Sequence, residues 1–243
     1  MARRHSASRR PLHFTDREKR IFFPSVAAGG KRRQTHRGGR REMQRKLFLD
    51  VGGHYGETAV VVLGRDLAFD AVHTFEPDPE CFSKLERTFE RFSIPGRCSD
   101  LALSDKAGTS TFNIYDNRAN NSMLSRHDFR DAGGRAITVS CSTLDLMDEQ
   151  LRVFRRPMLK LDVQGHELAV LKGGQSLLKR CEYVHLEVSS HHAYEGNSHV
   201  AELFCAMRDN GFRWVEILDT LRQPRKEGYC LKEADLLFVN DAQ

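Results

Sequence analysis

The sequence predicts an α/β fold whose sheet is mostly parallel. From residue 47 onwards, short apolar runs of strand length alternate with longer stretches of helical periodicity. The first apolar run, LFLDV at 47–51, leads into a glycine-rich turn. This order of strand, turn, helix, strand and helix, with segments of these lengths, indicates βαβ units with right-handed crossovers. No internal repeat and no linker interrupts residues 46–243, so we expect a single domain there.

The strands are short apolar or alternating runs bounded by turn residues. Two of them, TSTFNIY and RAITVSC, alternate in the β manner and flank a polar loop at 116–134. In chain order, strands are predicted at 47–51, 71–77, 97–105 with its loop, 109–115, 135–141, 157–163, 182–189, 212–218 and 234–240.

The helices follow from apolar spacing and from the residues at their ends. The second helix has Phe82, Leu85, Phe89 and Phe92 at spacings of three and four, a predicted core-facing stripe, and a proline suited to its first turn. Gly173 and Gly174 weaken the fourth helix or end a first segment of it. Helices are predicted at 57–66, at 78–92, from near Thr143, at 165–180 and at 200–212, the last closed by Gly211.

Charge is unevenly distributed along the chain. Residues 1–46 hold 15 of the 38 Lys and Arg residues and only three of the 33 acidic residues. The rest is mildly acidic, which argues against a catalytic domain shaped to hold a polyanion. Residues 1–45 are basic and rich in Gly and Ser, and we expect a disordered tail there. Weak nucleic-acid contact through this tail stays open, as does a later translation start at Met43.

Composition places the chain among soluble globular proteins, with 40% apolar and 29% charged residues. No apolar run reaches the roughly 18 to 20 residues that cross a bilayer, and no secretory signal is visible, so a cytoplasmic location without a membrane span is expected. The six cysteines show no C-x-x-C pair. We therefore expect reduced thiols, and neither disulfides nor a zinc site.

The turn after the first strand is the first candidate binding site. Asp50 precedes Gly52, Gly53 and Gly56, and glycines allow backbone N–H groups to approach a ligand closely. The spacing departs from the G-x-G-x-x-G of dinucleotide enzymes, which disfavours an NAD-dependent dehydrogenase. An aspartate is a poor neighbour for a pyrophosphate but a good acceptor for an ammonium group. A cofactor that joins a cationic amino acid to a nucleoside, such as S-adenosylmethionine, fits better; an ordinary tight turn is the alternative.

A second signal lies 26 residues after Asp50, at Glu76. An acidic side chain at the tip of the second strand can accept hydrogen bonds from both hydroxyls of a ribose. Taken alone, Glu76 would more often be a solvated residue at a helix start. Its place after the glycine turn favours the ribose contact.

Seven segments together resemble the FkbM-type S-adenosylmethionine-dependent methyltransferases. They are FLDVGGHYGET, VHTFEPDPECFSKL, LALSDKAGTSTF, STLDL, LKLDVQGHELAVLKGG, VHLEVS and DLLFVN, and they span about 47–240. The resemblance implies the class I methyltransferase (Rossmann-like) fold, with a seven-stranded sheet and helices on both faces. It implies methylation of a hydroxyl of a sugar, a glycan or another small molecule. It also places the cofactor at Asp50, Gly52, Gly53, Gly56 and Thr58, the ribose at Glu76, and the adenine beside Ala102, Leu103 and Ser104.

Two positions depart from that family. It usually has Asn where His54 stands, so one polar contact near the methionine end of the cofactor is expected to differ. Its D-V-E-G-x-E segment reads DVQGHE here, with Gln164 in place of the first Glu. This amide leaves open a non-catalytic module of the same fold that keeps the cofactor pocket.

Three residues are candidates for the methyl-transfer chemistry. Asp162 ends the fourth strand in the methyltransferase order and is predicted to face the ligand crevice. It, or His166 one helical turn on, could accept the proton of the acceptor hydroxyl. Glu187 is a second carboxylate predicted to point at the same crevice. Lys160, two residues before Asp162, shares its strand face and is an expected ion-pair partner. Surface roles at the helix start are the alternative for His166 and Glu167.

The acceptor is expected to enter near the polar loop 116–134, because loops on such scaffolds set specificity. His191 and His192 lack a third ligand at a recognisable spacing, so no metal is predicted. An RNA methyltransferase that docks through the basic tail is a further alternative. The expected partner is a small-molecule or glycan substrate, and the pattern does not specify an oligomeric state.

Overall fold

The computed structural model describes residues 45–64, 69–127, 134–191, 193–224 and 228–241. The tail predicted over 1–45 lies outside these residues, except for Arg45. Ten strands are described: β1 (Leu47–Val51), β2 (Ala71–Phe75), β3 (Gly96–Ser99), β4 (Ala102–Leu103), β5 (Gly108–Ile114), β6 (Arg135–Ser142), β7 (Met158–Leu161), β8 (Tyr183–Ser189), β9 (Phe212–Pro224) and β10 (Tyr229–Asn240). Six α-helices accompany them: α1 (Glu57–Gly64), α2 (Pro79–Phe92), α3 (Leu144–Leu151), α4 (Glu167–Lys172), α5 (Gln175–Leu178) and α6 (Val200–Asp209).

Seven strands form the main sheet, in the order β3-β2-β1-β7-β8-β10-β9. The pairs from β3 to β8 are parallel, and β10 is antiparallel to both of its neighbours. This strand order, with the antiparallel β10 inserted before β9, is the class I methyltransferase sheet. The predicted α/β fold with a seven-stranded, mostly parallel sheet is confirmed.

Helices cover both faces of this sheet, as predicted. Successive side chains of β1 point to opposite faces, and Leu47 and Leu49 pack in one apolar cluster whereas Phe48 packs in another. The first cluster includes buried residues of α3, α4, α5 and α6. The second includes residues of α1 and α2. β1 is therefore buried on both sides, which explains its unbroken apolar run.

The second helix begins one residue after its predicted start, for a visible physical reason. The side chain of Asp78 accepts a hydrogen bond from the Glu80 N–H at 2.9 Å and caps α2, and Pro79 occupies the first turn. Cys81, Leu85 and Phe89 are the buried residues of this helix. Phe82 is half-buried, but Phe92, predicted for the same stripe, is 42% exposed in the last turn, so that part of the prediction is wrong. The helix is fixed at its amino end, directly after the tip of β2.

Two predicted elements divide differently in the structure. Residues 97–105 do not form one strand with its loop: β3 ends at Ser99, and β4 pairs instead with β6 in a separate three-stranded sheet, β4-β6-β5. The helix predicted over 165–180 is two helices, α4 and α5. A β-carbon on Gly173 would lie 2.1 Å from the Ser104 carbonyl oxygen, so the chain bends between the helices where it contacts the loop after β4.

Both strands of the last hairpin run longer than predicted. β9 and β10 pair from Phe212 to Asn240, whereas β8 pairs only with Glu233–Val239 of β10. Gly211 has φ +84° and follows α6, in the position predicted for it. No helix among the described residues is both long and apolar enough to cross a membrane. All six cysteines are free thiols in the structure.

Candidate active site

The carboxyl ends of the parallel strands border one cavity of about 490 Å³. Seven of the eleven predicted site residues line it: Gly52, Gly53, Thr58, Glu76, Ala102, Asp162 and His166. The other four each contact a lining residue from behind: Asp50, Gly56, Ser104 and Glu187. The sequence-predicted residues therefore come together, but not all of them face the same space.

The glycine turn after β1 is built by close approach of three strands. Gly52 has φ +84°, and a β-carbon there would lie 1.9 Å from the backbone oxygen of Asp162. A β-carbon on Gly53 would lie 1.9 Å from the Thr74 methyl group. The N–H groups of both glycines donate to the Phe75 carbonyl oxygen at 3.1 Å. The turn is thus held between β2 and β7, with room for a ligand only on its cavity side.

Gly56 has a packing role. Its φ is +86°, and a β-carbon there would lie 2.9 Å from the Leu85 side chain in α2. Its N–H donates to the Gly53 carbonyl oxygen at 2.8 Å, which closes the turn into α1. Gly56 therefore shapes the turn from outside the cavity.

His54 occupies a left-handed backbone conformation, with φ +48°. Asn tolerates this region better than most residues, which gives a backbone reason for the Asn expected here from the family resemblance. The His54 N–H donates to Glu76 Oε2 at 2.8 Å, and the imidazole stacks on Tyr55 at 3.6 Å between centroids. His54 thus contacts Glu76 through its backbone and places its ring beside the cavity.

Glu76 is buried at the tip of β2 and lines the cavity. Its carboxylate accepts the N–H groups of His54 and Asp78, both at 2.8 Å. Burial raises the pKa of Glu76 to about 7, although these two hydrogen bonds work in the opposite direction. A carboxylate so placed retains lone pairs for donors inside the cavity.

Asp50 and Asp162 share one buried ammonium group. Lys160 Nζ lies 3.5 Å from Asp50 Oδ1 and 3.2 Å from Asp162 Oδ2. Burial disfavours the Lys160 charge, but the two carboxylates outweigh it and raise the pKa of Lys160. The predicted Lys160–Asp162 pair is present. Asp50 is fully buried and holds Lys160 rather than facing the cavity.

Glu187 does not point at the main cavity, contrary to its prediction. The Gln164 side chain lies between Glu187 and Asp162. Its Nε2 donates to Glu187 Oε2 at 2.7 Å and to Asp162 Oδ1 at 3.0 Å. Glu187 lines a second, smaller cavity with His191 and Tyr194. The reason is the turn after β7, which brings the Gln164 side chain back over the end of β8.

His166 and Glu167 are not surface residues at a helix start. His166 Nε2 lies 2.9 Å from Ser104 Oγ, so Ser104 reaches the cavity through this imidazole. Burial lowers the pKa of His166. Glu167 is buried and accepts the N–H groups of Val163 and Gly165 at 3.2 and 3.0 Å. Burial raises the pKa of Glu167 to about 7.

The loop after β5 covers one side of the cavity, in the region predicted for acceptor entry. Asn117, Arg118 and Asn121 line it. Arg118 pairs with Asp78 and Glu80, and Asn121 Nδ2 donates to Asp78 Oδ2 at 2.8 Å. The cap residue of α2 therefore anchors this loop beside Glu76. Residues 128–133 of the predicted loop lie outside the described part.

Sequence reasoning missed a second polar pair in the cavity. His185 Nε2 lies 3.1 Å from Asp235 Oδ1, and both residues line the cavity. His185 lies opposite Lys160 in the β7–β8 register. Its position two residues before Glu187, on one strand face, is the signal that would have found it. Asp235 is contributed by β10, far along the chain.

Among the described residues, no three His, Cys, Asp or Glu side chains form a group that could hold a metal ion. His191 lies in the second cavity and His192 lies outside the described residues. The acids of the main cavity are paired with Lys160, with Gln164, with His185 or with backbone donors. The arrangement can bind a polar cofactor at the glycine turn and orient a hydroxyl group near Asp162.

Comparison with known proteins bears on this site. The methyltransferase FkbM domain family matches residues 50–214. The hexuronic acid methyltransferase AglP of Haloferax volcanii is 30% identical over 144 residues, which cover 58% of this chain and 55% of that protein. The chain thus spans about half the length of this curated relative.

Solved structures resemble the chain at lower identity. Methyltransferase FkbM from Methylobacillus flagellatus KT matches with a TM-score of 0.47 and 14% identity, over 81% of this chain and 44% of that one. An S-adenosylmethionine-dependent methyltransferase from Clostridium acetobutylicum matches with a TM-score of 0.44 and 7% identity, over 80% and 83% of the two chains. Likeness at this level adds nothing about the site, and the fold rests on the strand order described above.

Proposed function

Because this chain belongs to the methyltransferase FkbM family, we propose that it transfers the methyl group of S-adenosylmethionine to a hydroxyl oxygen of a sugar, a glycan or another small molecule. One observation supports this most strongly: the glycine turn and Glu76 lie together at one side of a cavity that Asp162 also lines. The name of the Haloferax relative, a hexuronic acid methyltransferase, supports a sugar acceptor.

The residues present fit S-adenosylmethionine. Gly52 and Gly53 line the cavity, and because neither has a side chain the turn presents bare backbone to a ligand. Glu76 would accept the ribose hydroxyls with the lone pairs that His54 and Asp78 leave unused. Ala102 and Leu103 supply an apolar wall for the adenine. Asp50 would act on the cofactor through Lys160 and the turn.

When bound, S-adenosylmethionine supplies an electrophilic methyl group. In our proposal Asp162 would accept a hydrogen bond from the acceptor hydroxyl and would take its proton as that oxygen becomes methylated. Lys160 holds the Asp162 carboxylate in place at 3.2 Å. His166 and Asn121 line the same cavity and would orient the acceptor. Glu187 would act through Gln164.

Titration calorimetry with S-adenosylhomocysteine and with NAD tests the cofactor assignment. We expect saturable binding of S-adenosylhomocysteine and no heat from NAD, because the turn lacks the dinucleotide spacing. A screen with labelled S-adenosylmethionine across sugars, lipid-linked glycans and RNA then identifies the acceptor class. Strong NAD binding without a signal from S-adenosylhomocysteine would defeat the proposal.

Cofactor binding should depend on pH through Glu76. Its pKa of about 7 means that the carboxyl is protonated below neutrality and ionised above it. Ribose hydroxyls donate to the ionised form, so binding of S-adenosylhomocysteine should be about tenfold weaker at pH 6 than at pH 8. Calorimetry at both pH values checks this.

Glu76→Gln is the control for that pH dependence, because it cannot titrate. It should bind more weakly than the wild type at pH 8, with an affinity that changes little between pH 6 and pH 8. Burial lowers the pKa of His166, which works against protonation of that imidazole as the pH falls. A wild-type affinity that stays flat, or a slope that survives in Glu76→Gln, would contradict the role of Glu76.

A further inference from the structure

The turn after β7 places a neutral amide between two carboxylates. Gln164 Nε2 donates to Asp162 Oδ1 at 3.0 Å and to Glu187 Oε2 at 2.7 Å. These acids belong to neighbouring strand ends, and both are partly or fully buried. Two carboxylates this close repel one another unless a donor, a proton or a cation lies between them. The amide of Gln164 occupies that place.

The rest of Gln164 is equally constrained. The Tyr194 hydroxyl lies 3.2 Å from Gln164 Oε1 and 2.8 Å from the Asn120 carbonyl oxygen. The Ser122 hydroxyl donates to the Gln164 carbonyl oxygen at 2.9 Å. The backbone at Gln164 is left-handed, with φ +53°, which turns the side chain back over β8. One residue therefore ties Asp162 to Glu187 and to the loop over the cavity.

We propose that Gln164 is a positioning residue: its amide bridges Asp162 to Glu187 and so aims the Asp162 carboxylate at the acceptor, in the place where a proton or a divalent cation would otherwise be needed. The role of Asp162 in this statement rests on the proposed function. The bridge itself rests only on the contacts of Gln164. Proton transfer at Asp162 then requires no cation between the two acids.

Gln164→Glu tests the bridge, since it replaces the shared donor with a third carboxylate of nearly the same shape. A carboxylate there is expected to take up a proton at low pH and to need a cation at high pH. The melting temperature should therefore fall below that of the wild type by roughly 5 °C at pH 8 and by no more than about 2 °C at pH 5. Millimolar Ca²⁺ or Mn²⁺, which prefer oxygen ligands, should restore most of the loss at pH 8 and leave the wild type unchanged.

The sign of this pH dependence follows from the linkage between proton binding and folding. A carboxyl whose pKa is raised in the folded state contributes stability below its unfolded pKa, and this contribution is lost as pH rises. Other ionisable side chains lie around position 164, so the comparison is the difference in melting temperature from the wild type at each pH. These groups are Lys160, Asp162, Glu167, Glu187, His191, Tyr194 and Glu233.

A swapped variant provides the matched control. Gln164→Glu with Glu187→Gln restores the wild-type count of two carboxylates and one amide, so it should lose the cation response and most of the pH dependence. Gln150→Glu, on the exposed side of α3, controls for the added charge and should melt like the wild type. If Gln164→Glu folds only at low pH or with cation, the bridge is supported.

Three results would overturn the inference. They are a Gln164→Glu melting curve that matches the wild type at both pH values, an equal loss at both pH values without a cation response, and stabilisation of the wild type by the same cations. Binding of S-adenosylhomocysteine is measured separately on each variant and should stay within about threefold of the wild type. If the wild type binds no S-adenosylhomocysteine, the proposed function fails while the melting data still decide the bridge.

Discussion

Replacing Gly52 with alanine is expected to weaken binding of S-adenosylhomocysteine by about 100-fold or more, since displacements near 1 Å in a ligand site have effects of this order. The added β-carbon would lie 1.9 Å from the backbone oxygen of Asp162, and backbone cannot rotate away as a side chain can. The ends of β1 and β7 must therefore separate, which opens the turn proposed to hold the cofactor. Calorimetry on the folded protein measures the loss.

Gly196→Ala separates this clash from backbone strain alone. Gly196 also has a left-handed φ, +72°, but a β-carbon there meets no atom within 4 Å. Alanine at that position should cost about 1–2 kcal/mol of stability and leave the affinity within threefold. Wild-type affinity in Gly52→Ala would show that the turn is not the cofactor site. Equal weakening in both variants would point to strain rather than to the clash.

Replacing Asp162 with asparagine is expected to lower methyl transfer by about 100- to 10,000-fold, the range for the contribution of a general base. The variant keeps the shape of the side chain but cannot accept the proton. The fold should survive, because the Lys160 ammonium group still has its other carboxylate partner, with Nζ 3.5 Å from Asp50 Oδ1. Turnover of the acceptor found with labelled cofactor is the measurement, together with the affinity for S-adenosylhomocysteine, which should change little.

Two further variants rank the candidate residues. His166→Gln removes an imidazole that lines the cavity and should slow transfer less than Asp162→Asn. Glu187→Gln alters a carboxylate that lies behind Gln164, so its effect should be smaller than that of either. Unchanged turnover in Asp162→Asn would remove that residue from the proposed chemistry. A larger loss in His166→Gln would move the proton acceptor to the imidazole.

Local patterns predicted the elements that meet at the site. β1 has the same bounds as the strand predicted at 47–51. α2 begins one residue later than predicted, directly after its cap residue Asp78. The paired glycines and Glu76 lie together because parallel strands present their carboxyl ends at the same edge of a sheet. Such features depend on residues close in sequence, so periodicity and turn chemistry suffice to find them.

Contacts between segments that lie far apart in the sequence were harder to predict from local patterns. Asp50 and Glu187 were both predicted to face the ligand. In the structure Asp50 pairs with Lys160, and Glu187 accepts a hydrogen bond from Gln164. His185 and Asp235 were overlooked, because their pairing joins strands about 50 residues apart. The separate sheet formed by β4, β5 and β6 escaped notice for the same reason, since a strand pattern does not say which strand will be its partner.

The sequence by itself determined the fold class, the family resemblance and the glycine turn that we propose holds the cofactor, because glycine spacing and strand periodicity are local properties of the chain. Only the tertiary structure decided which acids face the cavity and which are neutralised behind it. That division depends on Lys160 and Gln164, whose donors select their partners by distance in the folded protein. A buried charge must be paired, and the pairing is made between strands that only folding brings together.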